Sequence, residues 1–184
     1  MKPWIWILLV VAVVGFFIVG IYNNLVGIDQ AVKQSWAQVE NQLQRRYDLI
    51  PNLVESVKGY AKHEKELFEN VTKARSAWAG ASSQSDKVSA ANQMEGALAR
   101  LMVVVENYPQ LQAAANFRAL QDELAGTENR IAVERMRYNE AVQYYNTVAR
   151  KIPTVFFVKM FGFDLEKMFF KAAEQAKEAP KVKF

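Results

Sequence analysis

The residues best placed to do chemistry form one polar seam: Glu128, Arg135, Asn139 and Asn146 recur at steps of seven, four and seven, which keeps them on one helix face. Carboxylate, guanidinium and amide groups at that spacing serve one of two ends. They stand solvated on a surface, or they form a buried network with charges from other helices, for which Arg46, Asp48, Glu64, Arg75 and Glu106 are the candidates. A buried network adds little net stability after desolvation, but it fixes register between helices whose apolar layers tolerate slippage. The Tyr138-Asn139 and Tyr145-Asn146 steps suit that role, with rings in the core and amides bonded to backbone. A catalytic use of the seam is the alternative.

Other reactive chemistry lacks its ligands. A di-iron site in a helical bundle needs paired Glu-x-x-His motifs, whereas His63 is the only histidine and follows Tyr60-Ala61-Lys62. His63-Glu64 reads as a solvated helix face rather than an acid–base pair. The chain has no cysteine, which excludes disulfides, iron–sulfur clusters and thiol catalysis. No glycine loop for phosphate is present, and Ser82, Ser83 and Ser85 read as linker. The expectation is a protein that is not an enzyme and carries no metal or cofactor.

The elements that must position these residues are helices, because apolar residues recur at steps of three and four and strand alternation is absent. Leu25, Ile28, Val32, Trp36, Val39, Leu43 and Tyr47 form one stripe. Leu53, Val57, Tyr60, Leu67, Val71, Ala74 and Trp78 form a second, beyond Asp48 and Pro51. Proline suits a first helical turn and Asp48 lies where a cap would lie, so a tight reversal at Pro51 is favoured over a kink. Gly80, tolerant of left-handed geometry, closes the second helix. Ala81–Asp86 is a linker, with Ser85 or Asp86 as the next cap. The third stripe, Val88, Ala91, Met94, Leu98, Met102 and Val105, stops at Asn107-Tyr108-Pro109. Asn116 caps the fourth, Leu120, Leu124, Thr127, Ile131, Tyr138, Val142, Tyr145 and Val148, whose phase crosses Gly126 unbroken. Four stripes with short joins predict an all-α fold, an antiparallel four-helix bundle over residues 25–150.

Ahead of the bundle, Pro3–Ile28 holds no charged residue. A helix of about 20 apolar residues rising roughly 1.5 Å each matches a hydrocarbon core of about 30 Å, so Trp4–Ile21 is long enough to span. Trp4 and Trp6 at one end and Tyr22, Asn23 and Asn24 at the other suit the headgroup region. A cleaved signal peptide would have a shorter apolar core and a small-x-small site, and Val19-Gly20-Ile21-Tyr22 offers none. Residues 1–24 therefore read as an uncleaved transmembrane signal-anchor. Lys2 stands against Lys33, Arg45 and Arg46, and the side of the body stays open.

Charge is divided along the chain. Basic and acidic side chains nearly cancel from Leu25 to Ala149, whereas residues 151–184 form an amphipathic segment with a basic surplus. A nucleic-acid binder would carry its basic stripe on the folded body, so that class is discounted. With four antiparallel helices the chain returns to the bilayer after Arg150. There Phe156, Phe157, Phe161, Phe163, Phe169 and Phe170, interleaved with Lys159, Lys167 and Lys171, have the composition of a membrane interface and could contact anionic lipid. The bland alternative is that these rings cap the bundle core.

Several motifs carry a family resemblance. RRYDLIPNLVESVKGYAKHE from Arg45, ENYPQL from Glu106, LQDELAGTENRIA from Leu120, the two Tyr-Asn steps and YNNLV from Tyr22 resemble the LemA family of bacterial membrane proteins, in family order over most of the chain. Glu134, where the family usually has a small residue, and the phenylalanine-rich segment after Pro153 depart from the pattern. The resemblance implies an N-terminal span and a helical bundle and supplies no reaction. The expected function is a single-pass, membrane-anchored scaffold that holds a protein partner at the bacterial membrane. A lipid-binding or envelope-stress module using the basic aromatic tail is the alternative.

Overall fold

The structure, a computed structural model, describes residues 3–61 and 64–171, and among them every regular element is helical. Helix α1 runs Pro3–Lys58, α2 Lys65–Gly80, α3 Gln84–Val105, α4 Pro109–Ala113, α5 Ala115–Arg150 and α6 Thr154–Met160. Two compact units result. One is built on Met1–Val39 with Glu134–Phe169, the other on Glu40–Val133, so α1 and α5 each contribute to both.

The apolar start of α1 and the first body stripe are one uninterrupted helix of 56 residues, with Pro51 inside it. The reversal expected at Pro51 does not form, and the chain turns after Lys58 instead. Proline in a helix interior costs about 3 kcal/mol. Ile50, Leu53, Val54 and Val57 are buried on either side of it, and at about 1.5–3 kcal/mol each their burial outweighs that penalty. Asp48 is consequently no cap. It lies exposed mid-helix and accepts a hydrogen bond from Gln44 Nε2 at 2.9 Å.

Local signals elsewhere act one step away from their expected places. Gly80 does end α2, but without left-handed geometry: Ala81 takes an extended conformation that turns the chain. The α3 cap is Ser83, whose Oγ accepts from the Asp86 amide at 3.0 Å. Pro109 stops α3 and opens the short α4, so α5 begins at Ala115 and Asn116 lies within it. Helix α5 passes through Gly126 unbroken, held by buried Leu124, Thr127 and Ile131.

In the unit on Glu40–Val133, the buried residues include Leu43 and Leu53 of α1, Val71 of α2, Met94 and Leu101 of α3, Leu111 of α4 and Phe117 of α5. Tyr47 packs on Trp78 with centroids 4.8 Å apart, and Lys87 pairs with Glu40 and lies 5.7 Å over the Trp78 ring. In the other unit, Leu25, Ile28 and Val32 of α1 are buried, as are Tyr138, Val142, Tyr145 and Val148 of α5 and Val158 of α6. Helix α6 ends in a glycine cap: Gly162 has φ +78°, its amide donates to Lys159 O at 3.2 Å and the Phe163 amide to Val158 O at 3.0 Å. The left-handed residue reverses the chain, and the following segment runs without regular structure to Lys171.

Candidate functional site

The seam residues of α5 do not share one environment. Glu128 forms an ion pair with Arg46 of α1; their side chains are 38% and 12% exposed, so the pair is neither fully solvated nor sealed. Arg45 Nη2 reaches Glu123 Oε1 at 2.7 Å, and Arg130 joins the same oxygen at 3.3 Å. The Arg46–Glu128 pair lines a groove of about 460 Å³ together with Glu95, Leu98, Met102, Gln121 and Leu124. Arg135 and Asn139 are half-buried and neither is left free. Of the other candidates, Arg75 is exposed on a polar groove of about 590 Å³ with Glu40 and Lys87, and Glu106 is exposed at the end of α3. Glu64 precedes α2 without a side-chain capping bond. His63 lies outside the described residues. Among the described residues, no group of three or more His, Cys, Asp or Glu side chains is placed to hold a metal. Glu134, half-buried, takes its partner from its own helix, Arg137 Nη1 at 2.7 Å.

Asn146, the last seam residue, belongs to a different constellation. Its Nδ2 donates to Lys167 O at 3.0 Å and its Oδ1 accepts from the Lys167 amide at 2.7 Å, a two-bond clamp on the backbone of the segment after α6. Tyr145 and Tyr138 continue the clamp, donating through their hydroxyls to Asp164 O and Met168 O, each at 2.7 Å. A tyrosine ring in the core with its hydroxyl on a backbone carbonyl satisfies two buried polar groups at once.

The clamp presents Lys167 to a buried carboxylate. Asp29 of α1 is 4% exposed; its Oδ1 lies 3.0 Å from Lys167 Nζ and its Oδ2 2.8 Å from Lys33 Nζ. Lys167 Nζ also meets Asp164 Oδ2 at 2.7 Å and stands 5.3 Å from the Tyr145 ring centroid. Burial works to raise the Asp29 carboxyl, but hydrogen bonds and charge from Lys33 and Lys167 prevail and hold it below the usual carboxylate value. Burial works to lower Lys167, but Asp164 and Asp29 raise it overall. Burial, with the nearby carboxylates, raises the Tyr145 phenol despite Lys167. Both members of the Asp29–Lys167 pair are thus held charged around neutral pH. That suits a structural clasp, whereas proton transfer calls for a group poised near the working pH.

Sequence reasoning missed Asp29, although the signal was present. Asp29 is the first charge after the apolar run and falls in phase with buried Leu25 and Val32. Lys167, read from sequence as a lipid-facing lysine, instead points inward. The aromatic segment also divides. Phe157 stacks on Phe161 at 5.8 Å, and Tyr22 meets Phe161 edge-on at 5.2 Å and Phe163 at 6.1 Å. Phe170 is buried, while Phe156, Phe169, Lys159 and Lys171 are exposed.

These features define an all-helical protein in which one helix is long and apolar enough to cross a membrane and continues directly into packed helical segments. The model of the LemA family matches residues 35–184, and the chain belongs to that family. It is 27% identical over 185 residues to magnetosome proteins MamQ 1 and MamQ 2 of Paramagnetospirillum magneticum (strain ATCC 700264 / AMB-1), covering 86% of this chain and 65% of theirs. Over 168 residues it is 26% identical to magnetosome protein MamQ of Magnetospirillum gryphiswaldense, covering 77% of this chain and 62% of that one. The chain therefore spans just under two thirds of the length of the curated relatives it matches.

Proposed function

We propose that this protein is a non-enzymatic scaffold anchored in a bacterial membrane by one N-terminal span, residues 1–24. In this reading residues 25–150 form an antiparallel four-helix bundle that holds a protein partner, and residues 151–184 are an accessory basic segment. The carrying observation is the continuity of α1: its apolar residues from Trp4 to Val19 are exposed apart from half-buried Ile18, yet the same helix buries Leu25, Ile28, Val32 and Val39. Exposed apolar side chains over that length have a natural solvent in lipid. The body stripes supply the packing that an interaction module needs. The relatives' names denote magnetosome proteins and name no reaction.

Fractionation and crosslinking test the proposal. The full chain is expected in membranes after an alkaline wash. A version lacking residues 1–20, which retains Tyr22 and its contacts with Phe161 and Phe163, is expected in the soluble fraction with its helicity intact. Retention of that shortened version after high salt would refute the single anchor, and failure to crosslink any protein in intact membranes would refute the scaffold role. A second reading, contact of the C-terminal segment with anionic lipid, is favoured by the packing of Phe161 and Phe163 on Tyr22, the residue that follows the apolar run Trp4–Ile21.

A further inference from the structure

Resting on the reading that the start of α1 crosses the bilayer, we infer that α6 is a second membrane contact. It lies in the boundary of an anionic lipid surface through its Phe156 and Met160 face, with Ile152 of the preceding turn beside it and Lys151 and Lys159 at the phosphates. Phe156 and Met160 are four residues apart on α6, which places them along one side, and they are 70% and 62% exposed; Ile152, in the turn just before the helix, is 79% exposed. Val158, on the opposite side, is fully buried. The helix is therefore seated by one face and leaves a bare apolar stripe on the other, the pattern of an interfacial helix.

Position and charge select the occupant. The Tyr22 contacts with Phe161 and Phe163 place the end of α6 beside the residue that follows the apolar run, at the aqueous edge of the proposed span. The acidic groups nearby are engaged: Asp164 by Lys167 and Glu166 by Arg150. Lys151 and Lys159 are exposed and, among the described residues, have no ion-pair partner. A two-fold contact with a second copy would set these lysines against each other, whereas anionic headgroups complement them. The boundary is thus narrower than the aromatic composition implied. Phe156 and Lys159 serve it, joined by Ile152, Met160 and Lys151, while Phe157, Phe161, Phe163 and Phe170 pack within the protein and Lys167 is held in the clasp.

Because the chain has no cysteine, single substitutions Phe156→Cys, Val13→Cys and Val103→Cys accept one nitroxide each. The full chain is reconstituted into phosphatidylcholine vesicles with and without phosphatidylglycerol, and access to oxygen and to a nickel chelate is read by power saturation. The label at position 13 should be embedded and that at 103 open to nickel. With phosphatidylglycerol present, the label at 156 should be shielded severalfold relative to 103, and Lys151→Glu with Lys159→Glu should weaken that shielding. Nickel access at 156 equal to that at 103, with position 13 embedded, overturns this inference and leaves the anchor standing. Nickel access at position 13 overturns the anchor itself and the inference with it. Shielding at 156 that persists in detergent with spin–spin broadening assigns the stripe to a second copy, and shielding indifferent to charge reversal removes the anionic lipid; either result overturns the proposal.

Discussion

Replacing Lys167 by Met tests whether the segment after α6 is clasped by a buried charge. The 3.0 Å approach of Nζ to Asp29 Oδ1 corresponds to a gross attraction of about 5 kcal/mol at an effective dielectric constant near 20. Breaking a buried pair by removing one partner costs about 3–5 kcal/mol, because the other charge is left in a medium that cannot solvate it. Asp29 would keep Lys33 at 2.8 Å, so the expected loss lies below that range, at about 2–3 kcal/mol. Asp29→Asn should cost less than Lys167→Met, since it removes the buried charge while Asp164 continues to hold Lys167. The pH dependence has a definite sign. The Asp29 carboxyl is depressed in the folded state, so its contribution is complete above about pH 4, the unfolded carboxylate range, and is lost as pH falls through the lower folded value. Lys167 is raised, so its contribution is complete below about pH 10 and is lost as pH rises through the folded value. Urea titrations followed by circular dichroism at about pH 3, 7 and 11 measure both effects. A Lys167→Met protein within about 0.5 kcal/mol of the parent, together with an acid limb unchanged in Asp29→Asn, would show that the geometry carries no energetic weight.

Three further outcomes follow from individual contacts. Asn146→Ala should cost about 1–3 kcal/mol, because the Lys167 amide and carbonyl both lose their partner; faster hydrogen exchange at the Lys167 amide would localise the effect. Gly162→Ala should destabilise by about 1–2 kcal/mol through its left-handed φ alone, since no atom beyond its chain neighbours lies within 4 Å of the added Cβ, and a thermal melt unchanged from the parent would contradict the glycine cap. For the half-exposed Arg46–Glu128 pair, a double-mutant cycle to Ala should return a coupling of about 0.5–2 kcal/mol, between the values of solvated and sealed pairs; zero coupling would reduce the pair to surface charge.

Much of the architecture was legible because it is local and periodic. The apolar run, the stripes from Leu25 and from Leu120, and the break at Asn107-Tyr108-Pro109 depend on side-chain order along one helix, which a linear pattern records completely. Pro51 shows where that logic stops. Its local preference favoured a turn, but the burial of Ile50, Leu53, Val54 and Val57 is a tertiary quantity, and it carried the helix through to Lys58. The polar residues show the same divide. Sequence spacing put Glu128, Arg135, Asn139 and Asn146 on one face, but it could not reveal that Glu128 meets Arg46 while Asn146 clamps the backbone of Lys167. Nor could it show that Lys167 turns inward to Asp29 across a separation of more than a hundred residues, because the identity of a charge's partner depends on which surfaces packing brings within about 4 Å. The sequence determined which stretches are helical and which faces are apolar; only the tertiary structure decided which of its charges and aromatic rings are committed inside and which, at α6, remain outward.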